Sequence, residues 1–161
     1  MQIYLGAVPY TSRNFLDLVQ RGFYTNLTFH RVERWCIQGG DPLGNGTGNF
    51  IDPDTGQPRF IRREINPRFK HMRPGVIAMA RSNHPDSASC QFYITKQPVP
   101  FLDGQYAIFG GVLRGMEAVN RMTPGDRIIS AEIVQPGVTN TTVNGTPPST
   151  ERQLPAGESG F

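Results

Sequence analysis

Breaks come too often in this chain for long helices to form. Its 161 residues include 18 glycines and 14 prolines. Glycine interrupts a regular element through its conformational freedom, proline through its fixed φ and missing N–H. Between these breaks lie short apolar runs, the pattern of an all-β barrel or sandwich and not of a helix bundle. Residues 2–5, 28–31, 36–38, 76–80, 90–95, 107–112 and 128–134 read as strands.

Two segments depart from that pattern. Phe15, Leu18 and Val19 share one helical face, with Thr11 placed as N-cap and Gly22 just past the end. Tyr10 and Phe15 are spaced to close a hydrophobic staple across that cap. Met116, Val119 and Met122 recur every third residue before Thr123, Pro124 and Gly125 stop a second short helix, and these methionines read as core packing.

A chain of this length forms one core by default, burying roughly 70% of the surface its unfolded form exposes. With 16 basic and 13 acidic side chains the net charge is only +3, far from the dense positive field of a dedicated nucleic-acid binder. Arg59, Arg62, Arg63, Arg68, Lys70 and Arg73 gather in the loop-rich stretch 41–74. That cluster reads as a solvated face, with an interaction scaffold as its rival, and no nucleic-acid partner is expected. Residues 135–161 are polar and repetitive, so the expected organisation is a domain over 1–134 with a C-terminal extension packed on it.

Cys36 and Cys90 make neither a disulfide framework nor a Cys-x-x-Cys pair. They read as free thiols of a reducing compartment, the alternative being a single bridge. His30, His71 and His84 lack metal-ligand spacing, so neither metal nor other cofactor is expected. No leader pattern and no membrane-length apolar run occurs, and a cytoplasmic monomer without membrane contact is the expectation.

Three stretches carry a more specific signal: Phe29-His30-Arg31 followed by Gln38-Gly39-Gly40-Asp41; Met79-Ala80-Arg81 with residues 87–94 (SASCQFYI); and Phe101-Leu102-Asp103-Gly104 leading to Phe109-Gly110. In this order they resemble the cyclophilin family of peptidyl-prolyl cis-trans isomerases, and the likeness spans residues 2–134. The resemblance implies a mainly β fold, a closed eight-stranded antiparallel barrel capped by two short helices. It also implies isomerisation of X-Pro bonds in unfolded or flexible protein segments, with proline-containing polypeptides as partners. The family normally places a further strand before residues 2–5, and residues 138–143 (VTNTTV), β-branched and partly alternating, are the candidate to replace it.

The resemblance assigns residues as well. Arg31 corresponds to the guanidinium that donates to the imide nitrogen, the other reading being a surface or ion-paired arginine. Gln38 and Gln91 correspond to pocket glutamines that hold substrate backbone and the arginine, the other reading being strand glutamines satisfying barrel backbone. Backbone groups at Arg81 correspond to a substrate-binding position. Trp35, Cys36, Tyr93, Leu102 and Tyr106 map onto the proline pocket, with Ala80 beside it and Phe101 on its rim.

Several of these depart from the family's usual residues: Trp35 and Tyr93 stand for Phe, Cys36 for Met, Phe101 for Trp and Tyr106 for His. The turn at Val32-Glu33-Arg34 is one residue shorter than usual. Without an indole N–H at Phe101, cyclosporin-type inhibitors are expected to bind more weakly than to tryptophan-bearing relatives. Cys36 reads as an apolar wall or as a redox-sensitive thiol. A proline-peptide binding module of the same fold, with little turnover, is the alternative to an enzyme.

Overall fold

The structure, a computed structural model, describes residues 1–134. Six strands form one antiparallel sheet: β1 (Gln2–Ile3), β2 (Arg31–Val32), β3 (Cys36–Gly39), β4 (Val76–Met79), β5 (Phe92–Thr95) and β6 (Ile108–Gly111). Their order across the sheet is β1-β6-β4-β5-β3-β2. Two helices, α1 (Pro9–Gln20) and α2 (Met116–Arg121), and one 3-10 turn at Pro100–Leu102 accompany it.

The sheet is open. Among the described residues β1 and β2 are its edges, so the closed eight-stranded barrel is not reached. Beyond the strands the pairing continues as irregular backbone: Thr28 bridges both Asp41 and Arg127. The N–H groups of Asn26, Phe29 and Ile128 donate to the carbonyls of Ile128, Asp126 and Leu27 at 2.7–2.8 Å. The expected strand at 128–134 does not form. Ile128 and Ala131 reach the core as irregular backbone, while Ile129 and Val134 stay 74% and 67% exposed. The candidate strand at 138–143 and the extension 135–161 lie outside the described residues.

Strand alternation sorts the core into two layers. One face sends Ile37, Ile77, Met79, Phe92, Ile94 and Phe109 against Phe15, Leu18 and Val19 of α1 and Val119 of α2. The other gathers Cys36, Val76, Ala78, Tyr93 and Ile108 with Val99 and Leu102. Side chains as fully buried as Leu18, Ile37 and Ile77 each contribute roughly 1.5–3 kcal/mol. Cys36 and Cys90 are both buried free thiols, one in each layer.

Helix α1 begins earlier than the local sequence suggests. Val8 is the N-cap and Pro9 opens the helix. The first-turn N–H groups of Tyr10 and Thr11 are taken by the Glu64 carboxylate, the latter at 2.9 Å. A cap supplied from 53 residues away leaves no local trace. Tyr10 stays 55% exposed under the Arg62 guanidinium, so no staple forms with Phe15. The C-terminal end follows the sequence: Gly22 adopts φ +67°, and Gly22 and Phe23 donate to the carbonyls of Val19 and Leu18, a Schellman motif.

Two members of the basic cluster are engaged within the fold. Arg59 pairs with Asp17 and with Asp52, the latter at 2.8 Å, and Arg62 covers Tyr10. No described helix is long and apolar enough to cross a membrane.

Candidate active site

Strand register builds the site. Arg31 of β2 lies opposite Gln38 of β3, Gln38 opposite Tyr93 of β5, Tyr93 opposite Ala78 of β4, and Ala78 opposite Ile108 of β6. Directly opposed residues project to the same face of a sheet, so one row places an arginine at the sheet edge and apolar and aromatic side chains along its length.

The guanidinium is held by a chain of side-chain amides. Arg31 Nη1 donates to Gln38 Oε1 at 3.1 Å, Gln38 Nε2 to Gln91 Oε1 at 2.9 Å, and Gln91 Nε2 to the carbonyls of Gly46 and Gly48 at 3.1 and 2.9 Å. Each amide uses its oxygen toward the arginine side and its NH2 toward the loop, so the direction of the chain is fixed by the loop carbonyls. The loop is itself anchored. Buried Asp41 accepts the backbone N–H groups of Leu43, Asn45 and Gly46. Burial pushes the Asp41 carboxyl up, but those three N–H groups outweigh it and hold the pKa below the usual carboxylate value.

Beside Arg31, the Trp35 ring lies 5.4 Å below the guanidinium carbon. Trp35 and Tyr106 both meet the Tyr93 ring edge to face, at centroid distances of 5.9 and 5.8 Å. Cys36, Tyr93 and Leu102 belong to one buried cluster, with Trp35, Ala80 and Tyr106 packed against it. Arg81 lies 4.7 Å above the Tyr106 ring and donates to the carbonyls of Gln105 and Ser82 at 3.1 and 2.8 Å.

Phe101 is not brought into this group. It is 66% exposed, and its carbonyl accepts from Gln105 Nε2 at 2.7 Å. Next to the row, a cavity of about 410 Å³ is lined by Gln38, Ala80, Arg81 and Gln91 together with Gly46, Thr47, Asn49, Phe60, Ser82, Ser87 and Ser89. It meets the aromatic cluster through Ala80 and through Arg81, which stacks on Tyr106.

A profile of the "Cyclophilin type peptidyl-prolyl cis-trans isomerase/CLD" family matches residues 1–143. The chain belongs to the cyclophilin family. It is 41% identical over 123 residues to a peptidyl-prolyl cis-trans isomerase of Arabidopsis thaliana, covering 76% of this chain and 72% of the relative. With a peptidyl-prolyl cis-trans isomerase-like 1 protein of Aspergillus niger it shares 37% identity over 147 residues, 84% of this chain and 88% of the relative. Among solved structures, a cyclophilin type isomerase of Cryptosporidium parvum, crystallised in the presence of the dipeptide ala-pro, superposes with a TM-score of 0.67 at 31% identity. That match covers 79% of this chain and 83% of the other. The relatives are named as isomerases, so the cyclophilin assignment is to a family of enzymes.

Four residues of this cyclophilin site take roles that its sequence motifs do not reveal, although two of them, Asp41 and Asp103, lie within those motifs. Glu33 sends Oε1 to within 3.4 Å of Arg31 Nε. Asp41 ends a quoted motif, but its anchoring role depends on a loop fold that spacing does not reveal. His71 and Asp103 form the third feature. His71 Nδ1 lies 2.9 Å from Asp103 Oδ1 and His71 Nε2 lies 2.8 Å from the Tyr93 hydroxyl. Burial lowers the His71 pKa against the opposing pull of Asp103. Burial alone would raise that of Asp103, but the backbone and ring N–H groups of His71 bring it below the usual value. The Cys36 thiol, wholly enclosed, is pushed up to about 11 by burial, Arg31 pulling weakly the other way.

Proposed function

We propose that the chain accelerates rotation about X-Pro bonds in unfolded or flexible protein segments, with Arg31 as the group that acts on the imide. Amide resonance sets a barrier of about 20 kcal/mol, while the cis and trans end states differ by only about 1 kcal/mol. No bond is made or broken. The catalyst needs only to favour the twisted state, in which the nitrogen lone pair localises and becomes a hydrogen-bond acceptor. A guanidinium suits this task because it stays charged and donates along fixed directions. The observation that carries the reading is the chain Arg31–Gln38–Gln91, which holds the donor beside the aromatic cluster of Trp35, Tyr93 and Tyr106.

In this reading the proline ring packs against Tyr93 between Trp35 and Tyr106, over Cys36 and Leu102. Ala80 and the backbone at Arg81 line the path of the substrate chain into the adjoining cavity. The tyrosine and tryptophan rings keep the hollow amphipathic while retaining the area that excludes water. Phe101, on the rim, supplies no N–H, so cyclosporin-type inhibitors bind weakly in this reading; nanomolar inhibition would contradict it. The two buried thiols support a reducing, cytoplasmic setting.

Removing one preorganised donor typically costs about 2.7–4 kcal/mol of transition-state stabilisation, or 10²–10³ in rate. Arg31→Ala is therefore expected to lose about that factor in kcat/KM on a proline tetrapeptide while still binding it. One contact favours a second reading, a proline-peptide binding module with little turnover: Glu33 competes for Arg31. Wild-type protein that binds proline peptides without accelerating their isomerisation would establish that reading in place of the first.

A further inference from the structure

We propose that His71 and Asp103 are positioning residues of the isomerase site, acting through the hydroxyl of Tyr93 to set the walls of the proline hollow. The inference rests on the isomerase reading above and adds two residues to it.

The direction of each hydrogen bond follows from elimination. The Asp103 carboxylate can only accept, so His71 Nδ1 carries the proton that it shares with Asp103 Oδ1 at 2.9 Å. In the neutral imidazole Nε2 is then the acceptor. The Tyr93 hydroxyl, 2.8 Å away, must donate to it. Asp103 Oδ1 also takes the backbone N–H of His71 at 2.7 Å, which fixes the ring from two sides. The carbonyl of His71 accepts from Val99 N–H at 2.7 Å, tying it to the turn that carries Leu102.

Tyr93 is the residue on which the hollow is oriented. Trp35 and Tyr106 both set their edges against it, and it stands in the cross-strand row next to Gln38. Its ring is nearly free of solvent, as is His71. Pulling the hydroxyl onto His71 turns it away from the hollow and leaves hydrocarbon facing the substrate. A hydroxyl without that acceptor would draw water beneath the proline ring or tilt the tyrosine, moving both neighbours.

The test uses the full chain and four variants: Tyr93→Phe, His71→Leu, the double variant, and His71→Gln, whose amide oxygen can still accept from the hydroxyl. Steady-state isomerisation of a proline tetrapeptide gives kcat and KM, and NMR titration of the same peptide gives Kd. His71→Leu is expected to raise KM and Kd about tenfold with kcat within about twofold, because a buried hydroxyl is orphaned while Arg31 is untouched. The double variant should recover to within about threefold of wild type, since neither polar partner remains. His71→Gln should recover partly.

A His71→Leu protein that melts earlier but keeps KM and Kd would overturn the inference, leaving His71 a structural residue. If His71→Leu fails to fold, a fifth variant, Asp103→Ala, which frees the His71 ring while leaving the Tyr93 hydroxyl in place, decides: a KM and Kd unchanged from wild type sinks the proposal, and a rise in both supports it. Inactive wild type that still binds peptide removes the isomerase reading, and the Kd pattern then judges the positioning role separately.

Discussion

Replacing Gln38 by leucine cuts the amide chain at its middle link, and the structure sets the size of the effect. Two bonds are lost, Arg31 Nη1 to Gln38 Oε1 and Gln38 Nε2 to Gln91 Oε1. A hydrogen bond to a charged group is worth about 1.5–3 kcal/mol, but the Arg31 side chain is 45% exposed and water replaces much of that, leaving about 1 kcal/mol. The half-buried Gln91 oxygen loses its donor at a cost of about 1 kcal/mol more. The sum, about 2 kcal/mol, caps the loss in kcat/KM at about thirtyfold, and about tenfold is expected because part of it falls on folding stability and not on the transition state. The measurement is kcat/KM on a proline tetrapeptide for Gln38→Leu, Arg31→Ala and the double variant. If Gln38 works by holding the arginine, the double variant is no slower than Arg31→Ala. Independent, additive losses would refute that reasoning and make Gln38 a substrate contact in its own right.

Three further outcomes are expected. Cys36, enclosed and with its thiol pKa raised to about 11, should resist iodoacetamide in the native protein at pH 8, and labelling of the folded state at the rate of a free thiol would restore the redox reading. Gly40→Ala should destabilise by roughly 2–4 kcal/mol in urea unfolding, because φ is +83° and a Cβ would lie 2.7 Å from the Cys90 carbonyl. Stability should fall in two stages on acidification. His30 and His71 have pKa values lowered from 6.5 by burial, so the unfolded chain takes up their protons first and stability declines below about pH 6.5. Asp41 and Asp103, lowered from 3.8 by hydrogen bonds that exceed the effect of burial, contribute stability above about 3.8 that is lost as pH falls through their folded values. Urea midpoints at pH 7, 5 and 3 measure this, and a rise from pH 7 to 5 would contradict the histidine stage.

Four strands were legible because they carry apolar residues on both faces of the sheet or end at a Gly-rich break, as with Val76–Met79 and Phe92–Thr95, whereas the expected strand at 28–31 shares only Arg31 with the two-residue β2. The run at 128–134 misled because an apolar run records a preference for burial and not a ladder partner: Ile128 and Ala131 pack on the core without forming a strand, and Ile129 and Val134 stay exposed. The C-terminal stop of α1 is local chemistry and could be read from Gly22. Its N-terminal start is not, since Glu64 completes it from a distant loop. The same division holds in the site. Arg31, Gln38 and Gln91 lie in motifs short enough to recognise, whereas the Asp103–His71–Tyr93 chain joins residues 32 and 22 positions apart. Only the tyrosine hydroxyl, standing where phenylalanine is usual, hints at a buried partner.

The short turn before Cys36 bears on whether the row could tolerate a slip. Glu33 N–H reaches the Cys36 carbonyl at 2.8 Å, leaving only Arg34 and Trp35 in the turn. Strand β3 is pinned on its other side as well: Cys36 to Gly39 pair with Thr95 to Phe92, and Lys96 N–H donates to the Trp35 carbonyl at 2.7 Å. A shift of one residue would exchange Gln38 for Ile37, sending an amide into the apolar layer beneath α1 and an isoleucine toward the arginine. Both exchanges are costly, one leaving a buried amide unpaired and the other exposing a core side chain. A change of length before Cys36 would therefore be absorbed in the turn while the strand holds its place, because the core layer and the amide chain each demand the same register from opposite faces of β3.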